Sequence, residues 1–90
     1  MVLHQNYPNP FNMQTQIVYD LPAEGPAHLT IYDVQGRLIR TLVDSHEISG
    51  RKTVSWDGRD TAGQEVPSGL YIYRLKTSSS ENMKKMILQK

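Results

Sequence analysis

This chain should fold as an all-β protein, an antiparallel sandwich of about seven short strands in one domain, for three reasons. Its apolar residues fall in short runs that alternate with polar ones, the period of a strand with one face buried. Gly, Pro, Asn, Asp and Ser cluster between those runs, where they supply positive φ, fixed φ or local hydrogen bonds for turns. No apolar period of 3.6 persists across several turns, so no substantial helix is expected.

The first element, residues 1–13, contains Asn6-Tyr7-Pro8-Asn9-Pro10-Phe11-Asn12 and should be extended, because each proline fixes its own φ and restricts the residue before it. Tyr7 and Phe11 are the expected anchors onto the body. From Thr15, Ile17, Tyr19 and Leu21 face one way and Gln16, Val18 and Asp20 the other; Pro22 to Pro26 should turn the chain. Leu29 and Ile31 then alternate with His28, Thr30 and Tyr32. Asp33-Val34-Gln35-Gly36 suits a type I turn and leads into a strand from Arg37 to Val43. Apolar residues on both faces of that strand, Leu38 and Leu42 against Ile39 and Val43, suggest a place inside a sheet or a crossing between sheets.

Asp44 to Gly50 reads as a polar loop. Lys52 to Trp56 and Leu70 to Leu75 are the next strands, with Val54 and Trp56 inward, and a segment dense in turn residues separates them. Ser78 to Asn82 should be a loop and Met83 to Gln89 the closing strand. Trp56 is the single tryptophan; burying its roughly 200 Å² makes it one of the largest contributors to the core.

Composition bounds function. A chain of 90 residues makes one small domain with little core to spare for a deep pocket. A net charge of +1 lacks the concentrated basic face that nucleic-acid binding requires. No apolar run approaches the ~20 residues that cross a bilayer as a helix, and without a basic start followed by an apolar segment no N-terminal export signal is expected. With no cysteine, disulfides, thiolate metal sites and thiol nucleophiles are excluded.

Candidate chemistry is sparse. Asp57, Asp60 and Glu65 invite a weak calcium hypothesis, centred on Asp57 and Asp60, since hard cations take several oxygen ligands; Asp-Gly and Asp-Thr-Ala-Gly also suffice as turn formers. His4, His28 and His46 lack metal-ligand spacing. No serine lies in a Gly-x-Ser-x-Gly elbow, and neither glycine-rich phosphate motif occurs. Tyr19, Tyr32, Tyr71 and Tyr73 suit either a sugar-stacking platform or sandwich core. The lysines of Lys84-Lys85-Met86-Ile87-Leu88-Gln89-Lys90 either protect a sheet edge or mark a strand that a partner reads. No enzyme activity, cofactor or small-molecule substrate is expected.

Asn6 to Asn12 with Thr15, Ile17, Tyr19, Leu21 and Pro22, then Ile31-Tyr32-Asp33 with Gly36-Arg37, Gly50, Trp56-Asp57-Gly58-Arg59-Asp60, Gly63, Pro67-Ser68-Gly69 and Tyr71 closely resemble the type A C-terminal sorting domain of type IX secretion. Lys85 to Leu88 resembles the closing strand of that family. The chain is also similar to the Ig-like domain of flagellar hook-capping proteins, which shares the Trp-Asp-Gly and Gly-x-Tyr blocks. One departure is Met13-Gln14, where the sorting family usually has Pro-Ser.

The resemblance implies an Ig-like or fibronectin-III-like sandwich, non-catalytic, at the end of a larger exported protein whose cargo domain lies upstream. It implies passage through the periplasm to the cell surface or medium, with the type IX translocon and a sortase-like peptidase as partners. Lys84, Lys85, Met86, Ile87, Leu88 and Lys90 are the residues expected to be read during export. Trp56, Asp57, Gly58, Gly69 and Tyr71 are expected to hold the shape. The alternative reading is an accessory carbohydrate-binding or structural Ig-like module of a larger secreted enzyme.

Overall fold

The computed structural model describes residues 1–90 as seven strands without a helix, arranged in two antiparallel sheets. The strands are β1 (Val2–Leu3), β2 (Thr15–Leu21), β3 (Gly25–Asp33), β4 (Leu38–Glu47), β5 (Gly50–Trp56), β6 (Gly69–Thr77) and β7 (Glu81–Leu88). One sheet runs β1-β2-β5 and the other β4-β3-β6-β7. Their inner faces form one Ig-like core, because the expected alternation holds along β2, β3 and β6. Ile17, Tyr19, Leu29, Ile31, Trp56, Tyr73 and Leu75 are all fully buried in it.

The Asp33–Gly36 turn forms as expected. Asp33 Oδ1 accepts hydrogen bonds from the backbone N–H groups of Gln35 and Arg37, and Gly36 takes the positive φ of 82° that the tight reversal requires. Pro26 lies inside β3, not in the preceding turn, and is tolerated there because the β6 ladder begins only at Ala27.

Four expectations need correction. β4 is an edge strand, not an internal one, and it continues through the supposed polar loop to Glu47, leaving only Ile48 and Ser49 before β5. Its apolar residues on both faces come from irregular pairing: the register with β3 shifts between Leu29 and Thr30 and again between Ile31 and Tyr32. These shifts leave Leu42 and Ile39 as extra residues, so Ile39, Leu42 and Val43 all pack against the core although strict alternation would separate them. Bulges of this kind are one device by which an edge strand avoids pairing with another chain.

The leading segment is not anchored by Tyr7, whose ring is 80% exposed. Tyr7 exchanges backbone hydrogen bonds with Gln16, which turns its side chain outward and sends its neighbour Asn6 inward. Asn6 is buried and donates through Nδ2 to Thr15 Oγ1 and Pro8 O. Phe11 anchors as expected, buried with its ring centroid 5.7 Å from that of Trp56. Nor is the segment uniformly extended: it bends between Pro8 and Pro10 and again at Asn12 and Met13.

At the β1–β2–β5 face, Asp20 accepts from Arg51 Nε at 2.9 Å and lies 2.6 Å from His4 Nε2. Arg51's hydrogen bonds, followed by that of His4, pull the Asp20 carboxyl down to about 2 from an ordinary 3.8. A depressed carboxyl stabilises the fold fully above its unfolded pKa and loses that contribution as pH falls through the folded one. Melting temperature is therefore expected to drop between pH 3.8 and about 2. In Asp20→Asn that part of the pH profile should be flatter; an unchanged slope would show that the carboxylate contributes nothing.

Candidate functional site

The closing strand β7 borders the four-stranded sheet, paired on one side with β6 from Gly69↔Leu88 to Lys76↔Glu81. Its alternation divides the residues expected to be read during export. Met86 and Leu88 are buried in the core, Lys84 is half-buried, and Lys85 and Ile87 stand on the outer face. Met86 and Leu88 therefore cannot be contacted directly without opening the sandwich, a correction that follows from the period of two.

The outer edge of β7 is largely occupied. Phe11 N–H donates to Ile87 O, Gln89 N–H donates to Phe11 O, and the two strands bridge in parallel at Phe11 and Leu88. Asn9 Oδ1 accepts from Ile87 N–H, and Gln5 Nε2 donates to Lys85 O. The leading segment thus straps the edge that would otherwise present unpaired backbone. Gln5 and Asn9 were not singled out by sequence reasoning, and only their proximity across about 80 residues reveals the role, as the Gln5–Lys85 separation of 80 shows.

Tyr73 fastens the strap from beneath. Its buried hydroxyl donates to His4 O at 2.7 Å and accepts from Asn6 N–H at 2.8 Å. Burial pushes its pKa up to about 12. Tyr73→Phe should cost about 1 to 3 kcal/mol in urea unfolding, because it leaves a buried donor and acceptor unpaired. No change would show that water reaches both groups.

The chain end is also tied down. Lys90 Nζ donates to Val66 O, its backbone N–H donates to Ser68 Oγ, and Glu65 lies 3.7 Å from its ammonium. Lys90 thus braces the loop before β6, where Tyr71 donates its hydroxyl to Pro67 O and packs its ring edge-on to Trp56. Gly69 opens β6 beside this brace.

Around Trp56, the indole N–H donates to Arg59 O at 2.9 Å and Gly58 takes a positive φ of 73°, which closes the turn beneath the ring. The calcium candidates Asp57 and Asp60 both serve turns. Asp57 Oδ1 accepts from Arg59 N–H and from Arg40, while Asp60 Oδ1 accepts from Ala62 and Gln64 N–H. Both carboxylates are committed to turns, and no three His, Asp or Glu side chains converge. Of the four tyrosines suited to a sugar platform or to core, Tyr19, Tyr71 and Tyr73 are core and only Tyr32 reaches the surface.

The FlgD Ig-like domain family matches residues 11–81. The basal-body rod modification protein FlgD of Salmonella typhimurium is 40% identical over 50 residues, 56% of this chain and 22% of that protein; FlgD of Salmonella typhi matches equally. The chain thus spans about a fifth of the length of these relatives, 22%. Among solved structures, dimeric latent PorU from Porphyromonas gingivalis superposes with a TM-score of 0.72 at 21% identity, over 93% of this chain and 9% of PorU. PorZ, a surface component of the type IX secretion system of the same organism, gives 0.65 at 21%, over 96% and 11%. FlgD from P. aeruginosa gives 0.64 at 20%, over 83% and 59%. These structural likenesses are likenesses of fold. With most of its length inside the family match, the chain belongs to the FlgD Ig-like domain family.

Proposed function

We propose that this Ig-like domain is a non-catalytic C-terminal sorting domain, which directs an upstream cargo through the type IX outer-membrane translocon to the cell surface or medium. The observation that carries this reading is the joining of β7 to its strap. The family match stops at residues 11 and 81. The blocks that resemble sorting domains beyond those limits, Asn6 to Pro10 and Lys85 to Leu88, are hydrogen-bonded to one another. Further support comes from PorU and PorZ, whose fold similarity covers 93% and 96% of the chain, more than the span of the family match. Recognition would fall on Lys84, Lys85 and Ile87, with Met86, Leu88 and Lys90 holding them in place. The translocon and a sortase-like peptidase are the proposed partners.

The test fuses residues 1–90 behind a signal peptide and a reporter in a type IX-competent bacterium. The reporter is expected outside the cell; a reporter held in the periplasm sinks the reading. A second reading, a structural or assembly module, is favoured by the family match itself. It predicts a reporter that stays in the periplasm whether or not Lys84 and Lys85 are changed to Ala. Deleting β7 would not discriminate, because the deletion also removes the core residues Met86 and Leu88.

A further inference from the structure

Nine large apolar side chains are exposed, and five of them, Val34, Leu38, Leu70, Met83 and Ile87, gather at one end of the outer face of the four-stranded sheet. Cross-strand pairing brings them together: Leu70 lies opposite Ile87, Ile72 opposite Lys85, Arg74 opposite Met83, and Tyr32 between Leu38 and Ile72. Single exposed apolar residues are ordinary on a protein surface, whereas a contiguous group rimmed by charge marks an interaction site. Exposures of 56% at Met83, 55% at Leu38 and 44% at Ile87 leave this group uncovered.

Two adjoining grooves give the face its relief. One, of about 270 Å³, is lined by Tyr32, Val34, Ile72, Arg74 and Met83, with Asp33 in its wall paired to Arg37, and offers a socket for an apolar side chain. The next, of about 370 Å³, is polar and basic, with His28, Thr30, Arg74 and Lys76 in its wall. Arg74 and Tyr32 line both, the guanidinium carbon 5.9 Å above the Tyr32 ring.

The charges decide what fits. Arg74 Nε is buried without a hydrogen bond, and Glu81 Oε1 at 3.5 Å is near enough to attract it without satisfying it. Lys76 and Lys85 have no carboxylate partner, and Lys85 stands within the apolar group beside Ile72. A second copy docked symmetrically on this face would bring its own Lys85 toward the first, a like-charge juxtaposition that opposes association. A partner bearing carboxylates next to an apolar anchor relieves the same charges.

We propose that this face, centred on Ile72, Lys85 and Ile87, docks a protein segment of acidic-apolar character, its apolar side chain in the Tyr32–Met83 groove and its carboxylate toward Lys85, Arg74 or Lys76. The proposal deepens the sorting reading by naming the surface that is read, and it rests on that reading only for the partner's whereabouts. The strapped edge of β7 directs the partner to the face of the sheet instead of to its border.

The test places benzoylphenylalanine at Leu38 or Met83, and at Val2 or Thr53 on the other sheet, in the 90-residue reporter fusion expressed in a type IX-competent cell. Irradiation should give an adduct of one mass from the Leu38 and Met83 positions only, with the cross-linked peptide rich in Asp or Glu. Its yield should fall about tenfold in Lys85→Glu, with the melting temperature unchanged. An adduct of the domain with itself, equal adducts from both sheets, or none overturns the proposal. Reporter export is scored separately: an adduct without export removes the sorting reading and leaves the docking face, and export without an adduct does the reverse.

Discussion

Trp56→Ala should abolish cooperative folding at ambient temperature. The indole has no exposed surface and sits between the rings of Phe11 and Tyr71, with centroid separations of 5.7 Å and 5.5 Å. Truncating so large a buried side chain costs about 3 to 5 kcal/mol, a figure that already includes its two aromatic contacts. A domain of this length has only about 5 to 13 kcal/mol of stability in total at 0.05 to 0.15 kcal/mol per residue. The loss thus takes a large share of what the fold has, and nearly all of it at the lower end of that range. Trp56→Phe keeps an aromatic ring and forfeits chiefly the N–H bond to Arg59 O, so it should cost less than half as much. Urea unfolding followed by circular dichroism measures both. A loss under about 1 kcal/mol for Trp56→Ala would place the indole outside the core.

Much of this core is legible in the chain because a strand with one buried face writes a period of two directly into its residues. Ile17, Tyr19 and Leu21 on β2, and Tyr71, Tyr73 and Leu75 on β6, point inward as their alternation requires. β4 defeats the same rule. Its bulges displace the period at Leu42 and Ile39, and bulges are set by pairing with β3, which local sequence does not encode. Its polar C-terminal half is an exposed strand held by main-chain bonds, indistinguishable by composition from a loop.

The candidate site was legible in part for the same reason. Lysines on the last strand draw attention to β7, and period two applied there separates Lys85 and Ile87 from the buried Met86 and Leu88. What covers the strand's edge depends on contacts such as Asn9 with Ile87, 78 residues apart. No local pattern announces an asparagine whose side chain takes the place of a strand partner. Asn6 and Tyr7 illustrate the same limit: an aromatic residue is the natural choice for an anchor, yet pairing with Gln16 turns the amide inward and the ring to solvent.

Removing residues 1–11 should be as damaging as losing the tryptophan, and in a way that distinguishes a strap from a mere tail. The truncation takes Leu3 and Phe11 out of the core, at about 2 to 5 kcal/mol each. It also strips the Tyr73 hydroxyl of both partners and bares Ile87 N–H and C=O at the border of the sheet. The shortened chain is expected to be largely unfolded at ambient temperature, and any folded fraction should associate through β7, since a bare edge is a template for another strand. Phe11→Ala separates the two effects. It should lose about 3 to 5 kcal/mol of stability, yet remain monomeric, because the backbone at position 11 still caps Ile87 and Gln89. Sedimentation velocity reports association and urea unfolding reports stability. A truncated chain that stays monomeric within about 1 kcal/mol of the full one would show that the leading segment merely rests on the domain.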